Sequence, residues 1–188
     1  MPHIEGNFAT LVYVEPSLEN CAILDEYVGL CKQIFSHYNQ DVSEEVLRHV
    51  SLSRHVYLKP HMIDGFVSKL RASFSNSSVT SFFISPEIVF YTNESRDTCF
   101  AALPIDTGVS PVVLNMIKQV DVIMEDFDLD VFYDPPSPHV SLVSCPARVA
   151  VPESTQLPAH TNLNDLRIDV DAICIKIGKD IVRIPLIA

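Results

Sequence analysis

The tripeptide His-Val-Ser occurs twice, at His49-Val50-Ser51 and His139-Val140-Ser141, followed each time by an apolar residue, Leu52 or Leu142. Both copies lie in apolar, β-branched stretches that read as strands. Successive side chains of a strand point to opposite faces. His49 and Ser51 therefore share a face, as do His139 and Ser141, while Val50, Leu52, Val140 and Leu142 turn towards a core. Such alternation asks for sheets covered on one side and open on the other, which antiparallel sheets supply. In the first copy the alternation runs from Val46 to Leu58. Ser53, His55 and Tyr57 join the polar face, and Val56 and Leu58 join the apolar one.

The rest of the chain fits around these two strands. Phe8 to Val14 reads as a strand that Pro16 ends. Ser17 caps a helix from Leu18 to about Phe35, whose apolar residues recur at helical spacing. A polar stretch with Asn39 and Asp41 follows. Pro60 opens a second helix with Met62, Ile63, Phe66, Val67, Leu70 and Phe74 on its apolar face. Strands are expected at about Ser81–Tyr91, interrupted at Pro86, and at Thr98–Ile105, joined by a turn at Thr92–Ser95. Ser110-Pro111 combines a hydroxyl cap with proline at the first helical position, for a helix running to about Asp126. The proline-rich loop Tyr133–Pro138 delivers the chain rigidly into the second motif strand, 139–145. A polar loop, Pro152–Asn164, precedes a closing hairpin of Leu166–Ile177 and Ile181–Leu186 around Gly178. The order predicts an α+β fold: a single bilobal domain over residues 1–188, with two pseudo-symmetric lobes of antiparallel sheet and outer helices. The motif strands would meet at a central cleft, where ligand sites commonly lie.

Composition narrows the chemistry. The 188 residues are 47% hydrophobic and 20% charged, which suits a globular domain. No apolar run is long enough to span a bilayer, and Met1–Thr10 lacks the basic-then-apolar pattern of a signal peptide. Cys21, Cys31, Cys99, Cys145 and Cys174 are scattered without C-x-x-C spacing or a Cys/His cluster. They read as reduced, mostly buried thiols, with no zinc site expected. A net charge of -11 argues against a protein that coats nucleic acid through a basic surface. It leaves room for an enzyme gripping one or two nucleotides at a chain end. Arg48, Arg54, Lys59, Lys69 and Arg71, near the first motif, could supply local positive charge, although singly each reads as solvated surface charge.

Two facing His-Ser pairs supply a base, an acid and two neutral hydrogen-bond donors, a set suited to cleaving a phosphodiester without a metal. A neutral imidazole can take the proton of an attacking hydroxyl, and an imidazolium can protonate the departing oxygen. An unperturbed pKa of about 6.5 suits histidine to both roles. Ser51 and Ser141 offer donors to the phosphoryl oxygens. His139 is assigned as base and His49 as acid. The same residues also fit a blander reading, two strand-edge histidines bonded to neighbouring serines. His3, His37, His55 and His61 read as surface or satisfied polar positions, with His55 sharing the face of His49.

The chain resembles the U6 small nuclear RNA 3′-end phosphodiesterase family of the 2H phosphodiesterase superfamily, whose mark is two His-x-Ser/Thr motifs in two lobes. The segments that carry the likeness are PHIEGNFATLVYV (2–14), HVSLSRHVYLKPHMIDGF (49–66), FYTNESRDTCFAAL (90–103), QVDVIMEDFDLDVFYDPPSPHVSL (119–142) and the closing ICIKIGKDIVRIPL. Family members usually carry a longer polar N-terminal extension, and this chain is more acidic than an RNA enzyme leads one to expect. Neither departure touches His49, Ser51, His139 or Ser141. The resemblance implies stepwise removal of 3′-terminal nucleotides from U6 RNA, with uridine preferred, leaving a 2′,3′-cyclic phosphate or an opened phosphate. It also implies a single-stranded RNA 3′ end as partner, no metal or other cofactor, and work in the nucleus. Two lobes forming one cleft make a monomer sufficient. The family also has a tyrosine at the position of Tyr133, which is expected to stack on the terminal base. Two rival readings are a 2H enzyme acting on 2′,5′-linked oligoadenylate or on cyclic phosphates, and a non-catalytic RNA-binding protein that keeps the fold.

Overall fold

The apolar periodicities resolve into three α-helices and twelve strands in the computed structural model, which describes residues 6–16, 18–37, 42–44, 48–85, 87–93, 95–146, 154–156 and 167–188. Strand β1 (Phe8–Val14) leads to helix α1 (Leu18–His37). Three short strands follow: β2 (Ser43–Glu44), β3 (Val50–Ser51) and β4 (Val56–Leu58). A 3₁₀ turn at Pro60–Met62 opens α2 (Ile63–Phe74). Next come β5 (Thr80–Phe83), β6 (Glu87–Thr92), β7 (Thr98–Pro104) and α3 (Val112–Asp126). The chain closes with β8 (His139–Pro146), β9 (Ser154–Gln156), β10 (Arg167–Val170), β11 (Ala172–Ile177) and β12 (Asp180–Pro185).

Ten strands form one antiparallel sheet in the order β12-β11-β1-β3-β8-β7-β6-β9, with β4 continuing along β1 and β2 along β8. The sheet divides at the β3–β8 seam, with four strands of this path on each side. Its register brings Val50 opposite Val140. The two motifs therefore lie side by side on neighbouring strands. The lobes meet in a shared ladder.

One core covers the apolar face of this sheet. α1 contributes Leu24, Tyr27, Val28, Cys31 and Phe35, spaced as one helical stripe. α2 contributes Phe66, Leu70 and Phe74, and α3 Val113, Met116, Ile117, Val120, Ile123 and Met124. Val50, Leu52, Val140 and Leu142 are fully buried in the same core. Burying a side chain of this size contributes about 1.5–3 kcal/mol, so each motif strand is clamped from behind while its polar face stays open.

Three expectations change in the folded chain. The first motif strand does not run unbroken to Leu58. Tyr13 pairs with Ser51, but Thr10 pairs with Val56, so two extra residues bulge from the ladder. Leu52 and Ser53 are consecutively buried there. Ser53 Oγ accepts from Val12 N at 2.9 Å and donates to the Arg54 carbonyl, so Ser53 serves the backbone and is fixed inside the bulge. Ser53→Ala would leave a buried amide unsatisfied, at about 1–3 kcal/mol, to be read as a lower urea midpoint with an unchanged m-value.

The second change concerns α3. Ser110 does not cap it, because its hydroxyl accepts from Phe83 N at 2.7 Å and ties β5 to the helix start. The third is that Leu166–Ile177 is not one strand of the closing hairpin. The chain breaks at Asp171; β10 pairs with β5, and only β11 pairs with β12. Gly178 makes the β11–β12 turn with φ +59, where a Cβ would press on the Phe8 ring at 3.2 Å. The expected cap at Ser17, the stretch with Asn39 and Asp41, the start at Val46 and most of loop Pro152–Asn164 lie outside the described residues. Cys31, Cys99, Cys145 and Cys174 are free and buried.

Candidate active site

Stepping one residue each way from the Val50–Val140 pair sets His49 opposite Ser141 and Ser51 opposite His139. Directly opposed side chains of an antiparallel pair have Cβ atoms about 4.5–5.5 Å apart. Each imidazole thus has its own hydroxyl two residues along the strand and the other motif's hydroxyl across the ladder. The four side chains line one cleft of about 430 Å³, together with Arg54, His55, Tyr91, Tyr133 and Ser137. A second bulge keeps this face intact. Between Ala101 and Ala102 the β7–β8 register slips by one residue, so Leu142 and Val143 are both buried immediately after Ser141. Each motif is thus followed at once by a ladder irregularity.

His139 is held through its ring nitrogen. Its Nδ1 donates to the Ser137 carbonyl at 2.8 Å, because a carbonyl can only accept. That leaves Nε2 as the basic nitrogen. Burial pulls the His139 pKa below 6.5; the Ser137 bond pushes it up, and the charge His49 carries when protonated pushes it down again. The net direction is downward, so His139 is neutral near pH 7. His49 packs edge-on against Tyr13, with centroids 5.5 Å apart. Burial first, then the Glu15 carboxylate, drives the Tyr13 phenol well above its usual range, keeping it protonated at neutral pH.

Tyr133 reaches the cleft from the loop before β8. It is 49% exposed, with Phe132 edge-on at 5.5 Å and the Arg54 guanidinium 4.6 Å from its ring centroid. Asp121 on α3 accepts from Phe132 N at 2.8 Å and anchors this loop. All five predicted site residues, His49, Ser51, His139, Ser141 and Tyr133, are therefore brought together. His55, read from the sequence as a surface or satisfied polar position on the face of His49, is exposed and lines the cleft wall. Enclosure there, then the charges of His49 and Lys176, lower its pKa.

Sequence reading left Tyr91 without a role, although it lies in the family-like segment 90–103, and missed Ser137. The Tyr91 ring stacks on His139 with centroids 4.5 Å apart. The available signal was its place in an alternating strand next to a turn, which alone does not say what it faces. Asn93 also lines the cleft, but its carboxamide staples the β6–β7 turn. It donates to Asp97 Oδ1 and accepts from Asp97 N and Thr98 N. Among the described residues, no three His, Cys, Asp or Glu side chains group as metal ligands do, and no helix is long and apolar enough to cross a membrane.

A family model described as "HVSL: Uncharacterised conserved protein" matches residues 1–185. The chain belongs to the HVSL family. Its two His-Val-Ser-Leu segments are the pair that meets at the seam of the sheet. Among curated relatives, this HVSL protein is 33% identical over 178 residues to U6 snRNA phosphodiesterase 1 of Drosophila melanogaster, covering 94% of the chain and 66% of the relative. It is 34% identical over 147 residues to the Homo sapiens protein of the same name, covering 77% and 53%. The HVSL chain thus spans under two thirds of the fly protein and about half of the human one. Its fold matches Kluyveromyces marxianus Usb1 with a TM-score of 0.68 at 15% identity, covering 96% of the chain and 97% of Usb1. A second Usb1 structure, with uridine monophosphate, matches at 0.64 and 13% identity, covering 96% and 97%. At these identities the likeness is one of fold, and it bears out the α+β architecture expected from the sequence.

Proposed function

We propose that this chain is a metal-independent 3′–5′ exoribonuclease that trims the oligouridine 3′ tail of U6 snRNA by 2′-hydroxyl transesterification. The observation that carries this reading is the crossed pairing of two His-Val-Ser tripeptides in one cleft. The name of the fly and human relatives supports the RNA substrate, and the uridine monophosphate of the Usb1 structure supports uridine.

The chemistry follows from the geometry. His139 Nε2 takes the proton of the 2′-hydroxyl beside the scissile phosphate as that oxygen bonds to phosphorus. The bond from phosphorus to the departing 5′-oxygen breaks, and protonated His49 gives that oxygen its proton. The product chain ends in a 2′,3′-cyclic phosphate. Opening it to a 3′-phosphate reverses the roles, with water in place of the departing alcohol. Ser51 and Ser141 donate to the phosphoryl oxygens as charge builds on them. Both motifs come from one chain, which supports a monomer, and the proposed U6 substrate supports work in the nucleus.

Tyr133 holds the terminal base by stacking. Aromatic stacking on a single-stranded base is worth about 1–3 kcal/mol, so Tyr133→Ala should raise KM roughly five- to a hundredfold while kcat changes little. A fall in kcat at constant KM would place Tyr133 elsewhere in the mechanism.

The deciding experiment incubates a 5′-labelled RNA, ending in several uridines with a free 2′,3′-diol, in EDTA. Stepwise shortening that disappears in His49→Ala and His139→Ala is the expected result, and the end group identifies cyclic or opened product. A folded parent chain that leaves this RNA intact, or that needs a divalent metal, overturns the proposal. Cleavage of 2′,5′-linked oligoadenylate in preference to oligouridine would reassign the substrate.

A further inference from the structure

Two contacts meet at His139, and a third links them. The Tyr91 ring on β6 lies almost parallel to the imidazole, with centroids 4.5 Å and planes 19° apart. The Tyr91 and Ser137 hydroxyls share a hydrogen bond of 3.0 Å. The Ser137 carbonyl accepts from His139 Nδ1 at 2.8 Å. Tyr91 therefore reaches His139 by two routes, through its ring face and through the loop residue that holds the imidazole proton.

We infer that Tyr91 is a positioning residue that fixes both the ring plane and the tautomer of His139. A histidine side chain rotates broadly about χ2, and neutral imidazole can carry its proton on either nitrogen. Strand β8 alone selects neither. Ser137 is exposed in the loop ahead of β8, where Ile105 N already holds the neighbouring Pro138 carbonyl and the Ser137 hydroxyl offers a second anchor point. Tyr91 supplies that anchor from a strand 46 residues away in sequence. The stack holds the ring plane, the bond to Ser137 holds the acceptor, and together they keep the proton on Nδ1 and Nε2 basic. The phenol face also shields one side of the imidazole from water, in line with the lowered proton affinity of His139. The inference rests on the reading of His139 as the base, and it extends the site to a residue outside both motifs.

The test is ¹⁵N NMR of the His139 ring in the parent chain, Tyr91→Phe and Tyr91→Ala, titrated without substrate and paired with steady-state kinetics on oligouridine. The parent should show a single Nδ1–H tautomer titrating below 6.5. Tyr91→Phe keeps the stack and loses the hydroxyl, so its tautomers should begin to mix. Tyr91→Ala should mix them further and raise the midpoint by about half a pH unit or more. In kinetics, kcat should fall about tenfold in Tyr91→Phe and more in Tyr91→Ala, with KM nearly constant. Unchanged tautomer and midpoint in both variants would overturn the inference, and so would an effect confined to KM, which would make Tyr91 a substrate contact. Because the NMR readout needs no RNA, an inactive parent with the expected tautomer shifts sinks the functional proposal alone. An active parent with unaltered variants sinks the positioning role alone. Tyr91→Phe preserves the ring, which separates positioning from a general loss of fold.

Discussion

Replacing His139 or His49 with alanine should lower kcat for the proposed oligouridine shortening by about 10²–10⁴-fold, the usual worth of a positioned acid or base. KM stays within a few-fold, because the base stack and the phosphoryl donors remain. Single-turnover rates on a short uridylate substrate measure this directly. If either variant kept more than a tenth of the parental rate, that histidine would not be moving a proton in the transition state. The two substitutions should also be far from additive, since one cleavage needs both proton transfers. The pH dependence follows from the burial of His139. The base must be neutral, and burial outweighs the Ser137 bond in setting its pKa below 6.5. The acidic limb of the rate profile should therefore fall below the ordinary histidine value and vanish with His139→Ala. Stability follows the same sign. His139 and His55 both bind protons less readily folded than unfolded. Unfolding therefore takes up protons below 6.5, and the melting temperature drops as pH falls through 6.5 and on through the folded values.

Ser51→Ala and Ser141→Ala should each lower kcat by about 10²–10³-fold, the cost of removing one preorganised donor to a developing oxyanion. Both side chains lie on the open face of the seam, while Val50, Val140, Leu52 and Leu142 hold the strands from the core side. Truncating the hydroxyls should leave the unfolding midpoint unchanged within error, and threonine should restore much of the rate because it keeps the donor. A rise in KM with kcat intact would mean that the hydroxyls bind the ground state only. An equal loss of stability would mean that they serve the ladder, as Ser53 does.

Much of the architecture was legible from period alone. β1 has the bounds that its β-branched run predicts, and the buried Phe66, Leu70 and Phe74 of α2 fall on residues chosen by helical spacing. Departures came where a polar side chain found a distant partner. Ser110 carries every local mark of a helix cap, yet its hydroxyl serves Phe83 on another strand. Ser53 alternates correctly with Ser51, yet the Val12 amide draws it into a bulge. The apolar run before Gly178 looks continuous, but Asp171 interrupts it, and β10 crosses to pair with β5. In each case a long-range hydrogen bond or strand pairing overrode a local preference.

The candidate site divides in the same way. Period-two alternation around two identical tripeptides was enough to say that each His shares a face with its Ser, because that follows from strand geometry whatever the neighbours are. The same rule put Val50, Leu52, Val140 and Leu142 behind them. It could not say that the two strands are adjacent, that Val50 meets Val140, or that each His faces the other motif's Ser. Those depend on strand order and register, which are decided by how the whole core packs. The asymmetry between the two histidines also belongs to the folded chain. His139 differs from His49 through the Ser137 carbonyl and the Tyr91 ring, brought to it by a loop and a distant strand. The residue types and their local facing are properties of the sequence; their meeting, and the tautomer of the proposed base, arise only when antiparallel pairing closes contacts between distant segments.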